Sequence, residues 1–202
     1  MNPAPGISTV IICATLLSAC TPGSDHPAPD ITAQTAPTRL PAGIVRVTGG
    51  GNTRVAKAGQ ANCQPPSAAE TAGALATTNA LRARHGLAPL RLDATLQRAA
   101  QGHACDMARL GLMGHGAGGN SGPAARIKAL GYRPRITAEN IAAGHFSLDR
   151  VMGEWAASPG HRRNVTITGL RDFGIGRAVA ADGRSVFWAA IYAEPARPGA
   201  RP

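Results

Sequence analysis

Residues 21–66 are not expected to form a folded domain, which confines the folded part of the chain to residues 67 onwards. The segment contains seven prolines and six glycines and lacks Phe, Trp and Tyr. Such a composition buries too little apolar area to offset the conformational entropy lost on ordering. The sequence therefore predicts a flexible tether over 20–66, spanning about 35–40 Å. One domain is predicted over 67–195, and a disordered tail over 196–202.

The N-terminus carries a short apolar run, residues 7–19, which is too short to span a membrane and suits a signal peptide. The run ends in Leu17-Ser18-Ala19-Cys20, which resembles the lipobox of bacterial lipoproteins. The resemblance implies that residues 1–19 are removed and that a lipidated Cys20 anchors the protein to a membrane. An ordinary cleaved signal peptide followed by a chance cysteine is the alternative. The expected location is extracytoplasmic, at a bacterial outer membrane or in the periplasm.

Two cysteines remain once Cys13 leaves with the signal peptide and Cys20 takes the lipid. On its predicted helix, Cys105 lies opposite the apolar stripe, where a free thiol would face an oxidising compartment. A disulfide between Cys63 and Cys105 is therefore the favoured prediction. Two unpaired thiols are the alternative.

The domain combines helix signals with strand signals. Ser67 and Glu70 have capping-box spacing and predict a first helix, and Asp93 opens a second. His103 falls on the apolar side of that second helix, which predicts a hydrogen-bonded core histidine. Two further helices and three strands are predicted, the helices over 124–130 and 147–158, and the strands over 136–143 (interrupted at 139–140), 173–179 and 186–192.

The formal net charge of the chain is +10, from 21 Lys and Arg against 11 Asp and Glu. Two explanations stay open, namely the general amino-acid usage of a GC-rich genome and a selected anion-binding surface. Nucleic acid is not an expected partner, because there are only seven aromatic residues for base stacking and no nucleic-acid-binding motif. The aromatic residues are predicted to be core.

A series of short motifs identifies a family by its order and spacing. It begins with Asn79-x-x-Arg82-x-x-His85-Gly86-Leu87-Ala88-Pro89-Leu90 and continues through Met107, His115, Gly131-Tyr132, Ala138-Glu139-Asn140-Ile141-Ala142, Glu154-Trp155, Ser158-Pro159-Gly160-His161-Arg162 and Phe173-Gly174-Ile175-Gly176. Together these motifs resemble the CAP superfamily, also called SCP domains, of cysteine-rich secretory, antigen-5 and pathogenesis-related proteins.

The resemblance implies an α+β fold, a three-layer α-β-α sandwich with a cleft. It implies that two histidines and two glutamates line the cleft, namely His115, His161, Glu139 and Glu154. The chain departs from the common family pattern at two positions, with Gly114 where Ser is frequent and Ala138 where Gly is frequent.

Such a residue set supports several kinds of chemistry. The imidazoles could hold a divalent metal, Zn²⁺ or Ca²⁺, while the carboxylates ligate it, hold its waters or orient the imidazoles. Without a metal, imidazoles and carboxylates can pair as acid and base. The same pairs could also only stabilise loops.

Three functional hypotheses are compatible with these residues. The favoured one is a membrane-anchored binding module for an envelope lipid, glycan or protein. The alternatives are a metal-dependent hydrolase or peptidase using the His/Glu cleft, and a purely structural envelope protein. Catalysis by the four residues is left undecided, with a non-enzymatic role favoured. Ser158 is not expected to act as a serine nucleophile, because the Gly-x-Ser-x-Gly elbow is missing.

Overall fold

A four-stranded sheet forms the middle of the domain in the computed structural model, which describes residues 51–119 and 122–196. The predicted signal peptide, Cys20, the tether up to residue 50 and the tail from 197 lie outside the described residues. The elements are β1 (Thr53–Arg54), α1 (Ala68–Arg84), β2 (Arg91–Leu92), α2 (Ala94–Leu110), β3 (Leu112–Met113), α3 (Pro123–Ala129), β4 (Pro134–Gly144), α4 (Leu148–Ala157), α5 (Pro159–Val165), β5 (Asp172–Val179) and β6 (Val186–Pro195).

The sheet has the strand order β2-β5-β6-β4. The short β2 runs parallel to β5, whereas β6 is antiparallel to both of its neighbours, β5 and β4. A tight turn joins β5 to β6, because Asp182 Oδ1 accepts hydrogen bonds from the amides of Arg184 and Ser185. Gly183 follows Asp182 with a φ of +69°, a conformation that glycine adopts without strain. The two strands predicted over 173–179 and 186–192 therefore form a hairpin.

Side chains of β6 alternate between two apolar layers, as the period of a strand requires. Trp188 and Tyr192 belong to the core cluster formed with α1, α4 and α5. Ile191 packs on the opposite side, against Leu96 of α2. This arrangement of helices on both faces of the sheet confirms the three-layer α-β-α sandwich. Among the described residues, no helix has the length and hydropathy that a bilayer crossing requires.

Helix α2 lies directly on β5 because β5 carries glycine where the two backbones meet. A Cβ on Gly174 or Gly176 would overlap the backbone of α2 at Leu96 and Ala100. The side-chain amides of Gln97 and Gln101 both donate to and accept from the backbone of β5, at residues 175 and 177. The Phe173-Gly174-Ile175-Gly176 motif thus sets the distance between helix and sheet.

Two predicted element boundaries differ in the structure. Ser158 ends α4, as expected, but α5 starts at once with Pro159 at its first position, which proline favours. His161 therefore lies on a helix. The predicted interruption of β4 at Glu139 and Asn140 is also wrong, since β4 runs unbroken through both. Polar side chains are accommodated there because each has partners, described below.

Residues 51–66 have defined structure, although the domain is predicted to begin only at residue 67. Thr53 and Arg54 pair with β3, and Asn62 forms a two-way backbone pair with Val179 of β5. The segment carries little apolar area, as its composition indicates. Backbone hydrogen bonds and a covalent link hold it in place instead.

The covalent link is the predicted disulfide between Cys63 and Cys105, with a Cα–Cα distance of 5.1 Å. Cys105 is only 7% exposed, although it lies opposite the apolar stripe of α2. That face of the helix is buried because the segment around Ala61 and Cys63 packs onto it. The disulfide is confirmed, and the structure explains why the cysteine side of α2 does not face solvent.

Candidate functional site

His115 lies in the tight glycine-rich turn that follows β3. Its side chain is 47% exposed, so the imidazole is available to molecules in solution. The turn is closed by a backbone hydrogen bond of 3.1 Å from Ala117 N to Gly114 O. The glycines on either side of His115 leave the ring unshielded by neighbouring side chains.

Glu139 holds the imidazole in one orientation. The residue lies in the middle of β4, opposite Ile191 of β6, and only 1% of its side chain is exposed. Its Oε1 is 2.7 Å from His115 Nδ1. A carboxylate accepts hydrogen bonds but does not donate them, so Nδ1 carries the proton and donates. In the neutral ring, Nε2 is then left with its lone pair and can bind a ligand.

Arg126 of α3 binds both members of this pair. Its Nη2 donates to Glu139 Oε2, and its Nη1 donates to the backbone oxygen of His115 at 2.8 Å. The guanidinium is itself buried. Arg126 therefore neutralises a buried carboxylate and fixes the turn that carries the imidazole.

Arg126 is a site residue that the sequence pattern did not predict. A charged residue inside a buried strand requires a cation, which is a signal that some basic residue lies nearby. The chain has nineteen arginines, however, and only the packing of α3 against β4 shows that Arg126 is the one beside Glu139.

These contacts determine the ionisation of Glu139. Burial by itself would raise the pKa of its carboxyl group, but the hydrogen bond from His115 and the charge of Arg126 hold the pKa below its ordinary value. Glu139 is consequently a carboxylate at neutral pH, held by the guanidinium of Arg126 and the imidazole of His115.

His103 is the second imidazole beside Glu139. It is fully buried, as predicted, and its Nε2 lies 3.8 Å from Glu139 Oε1. Neither ring nitrogen makes a hydrogen bond of ordinary geometry among the described residues, although the backbone of Gly114 lies near enough to favour the protonated ring. Burial lowers the pKa of His103 to about 4, against the opposing pull of the Glu139 charge. The ring is therefore neutral at physiological pH.

Glu154 and His161 lie on the two consecutive helices α4 and α5, and both are half-buried. The backbone oxygen of Glu154 accepts from Ser158 N at the end of α4. The backbone oxygen of His161 accepts from Asn140 Nδ2 at 3.2 Å, and Asn140 is the neighbour of Glu139. Helix α5 is thereby attached to the strand that carries Glu139.

Asn164 of α5 strengthens this attachment and was also missed from the sequence. Its Nδ2 donates to the backbone oxygen of Glu139 at 3.0 Å and to Asn140 Oδ1 at 2.8 Å. Of the four predicted site residues, then, His115 and Glu139 are in direct contact. The backbone of His161 is linked through Asn140 to β4, the strand that carries Glu139.

The donor set restricts how a metal ion could bind. Both oxygens of Glu139 are engaged, one by His115 and one by Arg126. Among residues 51–119 and 122–196, no group of three or more His, Cys, Asp or Glu side chains is gathered closely enough to hold a metal ion. Of the roles considered for the carboxylates, Glu139 has that of orienting an imidazole. Hard cations such as Ca²⁺, which need six or more oxygen ligands, do not fit this arrangement.

Comparison with known proteins gives consistent matches. The profile of the cysteine-rich secretory protein family (CAP) matches residues 75–192. The uncharacterized protein YkwD of Bacillus subtilis (strain 168) is 32% identical over 99 residues, which are 49% of this chain and 38% of that protein. The chain therefore spans well under two thirds of that relative.

Solved structures show the same fold. An outer surface protein from Borrelia burgdorferi superposes with a TM-score of 0.58 at 22% identity, covering 66% of this chain and 98% of the other. An extracellular protein containing an SCP domain, from Bacillus anthracis str. Ames, gives a TM-score of 0.55 at 25% identity, over 62% of this chain and 40% of that one.

The first prediction concerns the buried ion pair. Arg126→Met should lower the free energy of unfolding by about 3–5 kcal/mol, because it leaves the Glu139 carboxylate buried without its cation. Arg163→Met, at an arginine of α5 outside this network, is the matched control and should cost less than about 0.5 kcal/mol. Urea unfolding at pH 7 measures both. Equal costs for the two variants would contradict the assignment of Arg126.

The second prediction concerns pH. The folded-state pKa of His103, about 4, lies below its unfolded value of about 6.5, so the unfolded chain binds the extra proton as pH falls. This residue should therefore remove about 2 kcal/mol of stability between pH 7 and pH 5. Urea unfolding across that range should show a steeper pH dependence for the wild type than for His103→Gln. Parallel curves would show that folding does not lower the pKa of His103.

Proposed function

The chain belongs to the cysteine-rich secretory protein (CAP) family, and on this premise we propose that it is an extracytoplasmic binding module whose cleft uses His115 to hold a ligand of the cell envelope. The observation that carries the proposal is the contrast between an exposed imidazole and its buried supports. His115 is 47% exposed, while the carboxylate that orients it is almost completely buried. Burying a charged pair costs desolvation free energy, so such a pair is weak evidence for stability alone. Its position here, orienting a half-exposed imidazole, supports a role in ligand binding.

The chemistry of the exposed nitrogen indicates the ligand class. In its neutral form the His115 ring, with the Nδ1 proton on the Glu139 side, has Nε2 as a hydrogen-bond acceptor, which suits a ligand with hydroxyl or amide donors. The net charge of +10 attracts negative groups over a longer range. An anionic envelope glycan carries many hydroxyl and amide donors together with negative charge. Envelope lipids and proteins can also carry donors or negative charge. The glycan is the ligand that we favour.

The third prediction tests binding by a pull-down of the protein with purified peptidoglycan sacculi, with membrane vesicles as a parallel arm. His115→Ala should weaken retention on sacculi about 5–10-fold, the equivalent of about one hydrogen bond. His85→Ala, at an exposed histidine that ends α1, is the matched control and should leave retention unchanged. High salt should weaken both proteins alike. Retention on neither material, or equal retention of the two variants, would refute the proposal.

Anchoring at a membrane is the second part of the proposal. The structural relatives include an outer surface protein and an extracellular protein, which supports a location outside the cytoplasm. The lipobox-like Leu17-Ser18-Ala19-Cys20 motif supports attachment through a lipidated Cys20. The attachment would keep the binding module at the outer membrane or in the periplasm.

The fourth prediction is that Cys20→Ser moves the protein from the membrane fraction to the soluble fraction, because the variant cannot accept the acyl chains. Mass spectrometry of the wild-type N-terminal peptide should show acylation at Cys20. An unmodified N-terminus in the membrane fraction would contradict lipid anchoring and favour the ordinary cleaved signal peptide.

One observation favours a hydrolase as the second candidate function. The Nδ1 hydrogen bond to Glu139 is the arrangement that orients a histidine as a general base. A metal would instead have to bind through imidazole nitrogens, of which His115 and His161 are the candidates, and His115 would then be a ligand and not the base. Zn²⁺ suits such ligands better than Ca²⁺ or Mg²⁺.

The fifth prediction separates this candidate from the binding module. Calorimetric titration with Ca²⁺ and Mg²⁺ should show no binding at the cleft, because the Glu139 oxygens are occupied. Stoichiometric Zn²⁺ binding that disappears in His115→Ala/His161→Ala would support the metal-dependent hydrolase. Failure of wild-type protein to bind Zn²⁺ would eliminate it. Stoichiometric Ca²⁺ binding lost in the same variant would contradict the assigned role of Glu139.

A further inference from the structure

The segment Gly51–Cys63, here called the strap, lies before the region that matches the family and runs along the chain that leads into His115. Thr53 and Arg54 of the strap pair with Met113 and Leu112, the two residues of β3. The next two strap amides, of residues 55 and 56, both donate to the backbone oxygen of Gly111, at 2.8 and 3.2 Å. The strap thus adds a strand alongside the short stretch that joins α2 to the turn of His115.

Two glycines make this close approach possible. A Cβ on Gly111 would overlap the backbone of Ala56, and a Cβ on Gly114 would overlap the side-chain amide of Asn52. Gly114 directly precedes His115 and is one of the positions at which the chain departs from the common family pattern. The amide of Asn52 therefore stands in the space that a side chain at residue 114 would fill.

The other end of the strap is fastened to the rigid sandwich. Cys63 is bonded to Cys105 of α2, and its backbone oxygen accepts from Gln101 Nε2 at 2.7 Å. Asn62 exchanges backbone hydrogen bonds of 2.8 and 2.9 Å with Val179 of β5. Because α2 and β5 are themselves packed backbone to backbone, the strap has a fixed support from which to hold β3.

We propose that the strap is a positioning element of the His115 site, and that Asn52 is a positioning residue that takes the place of a side chain at residue 114. The strap fixes the main chain before His115, just as Arg126 fixes the backbone oxygen of His115 itself. The site of this chain is then completed by residues from outside the family-matched region 75–192. The inference rests on the proposed role of His115 in ligand binding, but its test requires no ligand.

The test uses the full chain and three variants, Asn52→Gly, Gly114→Ala and the double variant, with NMR of the His115 ring as the readout. Gly114→Ala should displace the Asn52 side chain and shift the His115 ring signals. In the Asn52→Gly background the same substitution should cause a much smaller shift, because the displaced group is already absent. Gly102→Ala on α2, where a Cβ meets no other atom, is the matched control and should leave the signals in place.

A second measurement tests whether the strap positions His115 or only covers the surface of α2 and β3. Cys63→Ala/Cys105→Ala should accelerate amide hydrogen exchange of the strap by about tenfold or more, since its fastening is lost. If the strap positions His115, the exchange of residues 111–115 rises with it and the His115 ring signals move. Faster exchange confined to the strap, with unchanged His115 signals, would overturn the proposal.

The two possible failures can be told apart. Equal effects of Gly114→Ala in the two backgrounds would refute the role of Asn52, whatever the protein binds. Suppose that His115→Ala leaves retention on sacculi unchanged, while the His115 ring signals still respond to Gly114→Ala less strongly in the Asn52→Gly background. The proposed function would then be refuted, and the strap would remain the element that positions His115. If Gly114→Ala weakens retention on sacculi and adding Asn52→Gly restores it, the result would support both the proposed function and the role of Asn52.

Discussion

A carboxylate in the middle of a buried strand is the constraint on which the functional end of this domain depends. Glu139 is almost completely shielded from water, so its charge requires partners within the protein. Arg126 supplies the countercharge from α3, and His115 supplies a hydrogen bond from the turn after β3. One buried charge thus brings together a strand, a helix and a loop that are separate in the sequence. Because Glu139 bonds Nδ1 of His115, the other ring nitrogen, Nε2, is not bonded to this carboxylate.

The packing between α2 and the sheet provides the rigid base for this arrangement. Glycines 174 and 176 allow the helix backbone to rest on β5, and glutamine side chains of α2 bond that strand directly. This contact carries His103 to within 3.8 Å of Glu139 and presents Cys105 to the strap. The strap then fastens the short strand before His115. His115 is consequently held in three ways: its ring by Glu139, its backbone oxygen by Arg126, and its preceding backbone by the strap.

This geometry favours the proposed binding role over a metal centre that activates water. The carboxylate that would complete a metal site is engaged by an arginine, and the imidazole is oriented and exposed. The solved relatives establish the fold and do not assign a reaction to it, since one fold supports many functions. Binding by an oriented histidine on a basic domain requires only what the described residues provide.

The sequence by itself determined the features that depend on neighbouring residues. The capping box at Ser67, the cap at Asp93 and the hairpin turn at Asp182 follow from local hydrogen bonding, and the aromatic core follows from strand and helix periodicity. The ordered motifs indicated the fold and grouped His115 with Glu139, and cysteine counting paired Cys63 with Cys105. Only the tertiary structure decided which of nineteen arginines neutralises Glu139, that β4 continues through it, and that residues 53–63 are ordered. These outcomes depend on distances between residues far apart in the chain, because a buried charge or an unpaired backbone takes whichever partner the packing brings within reach.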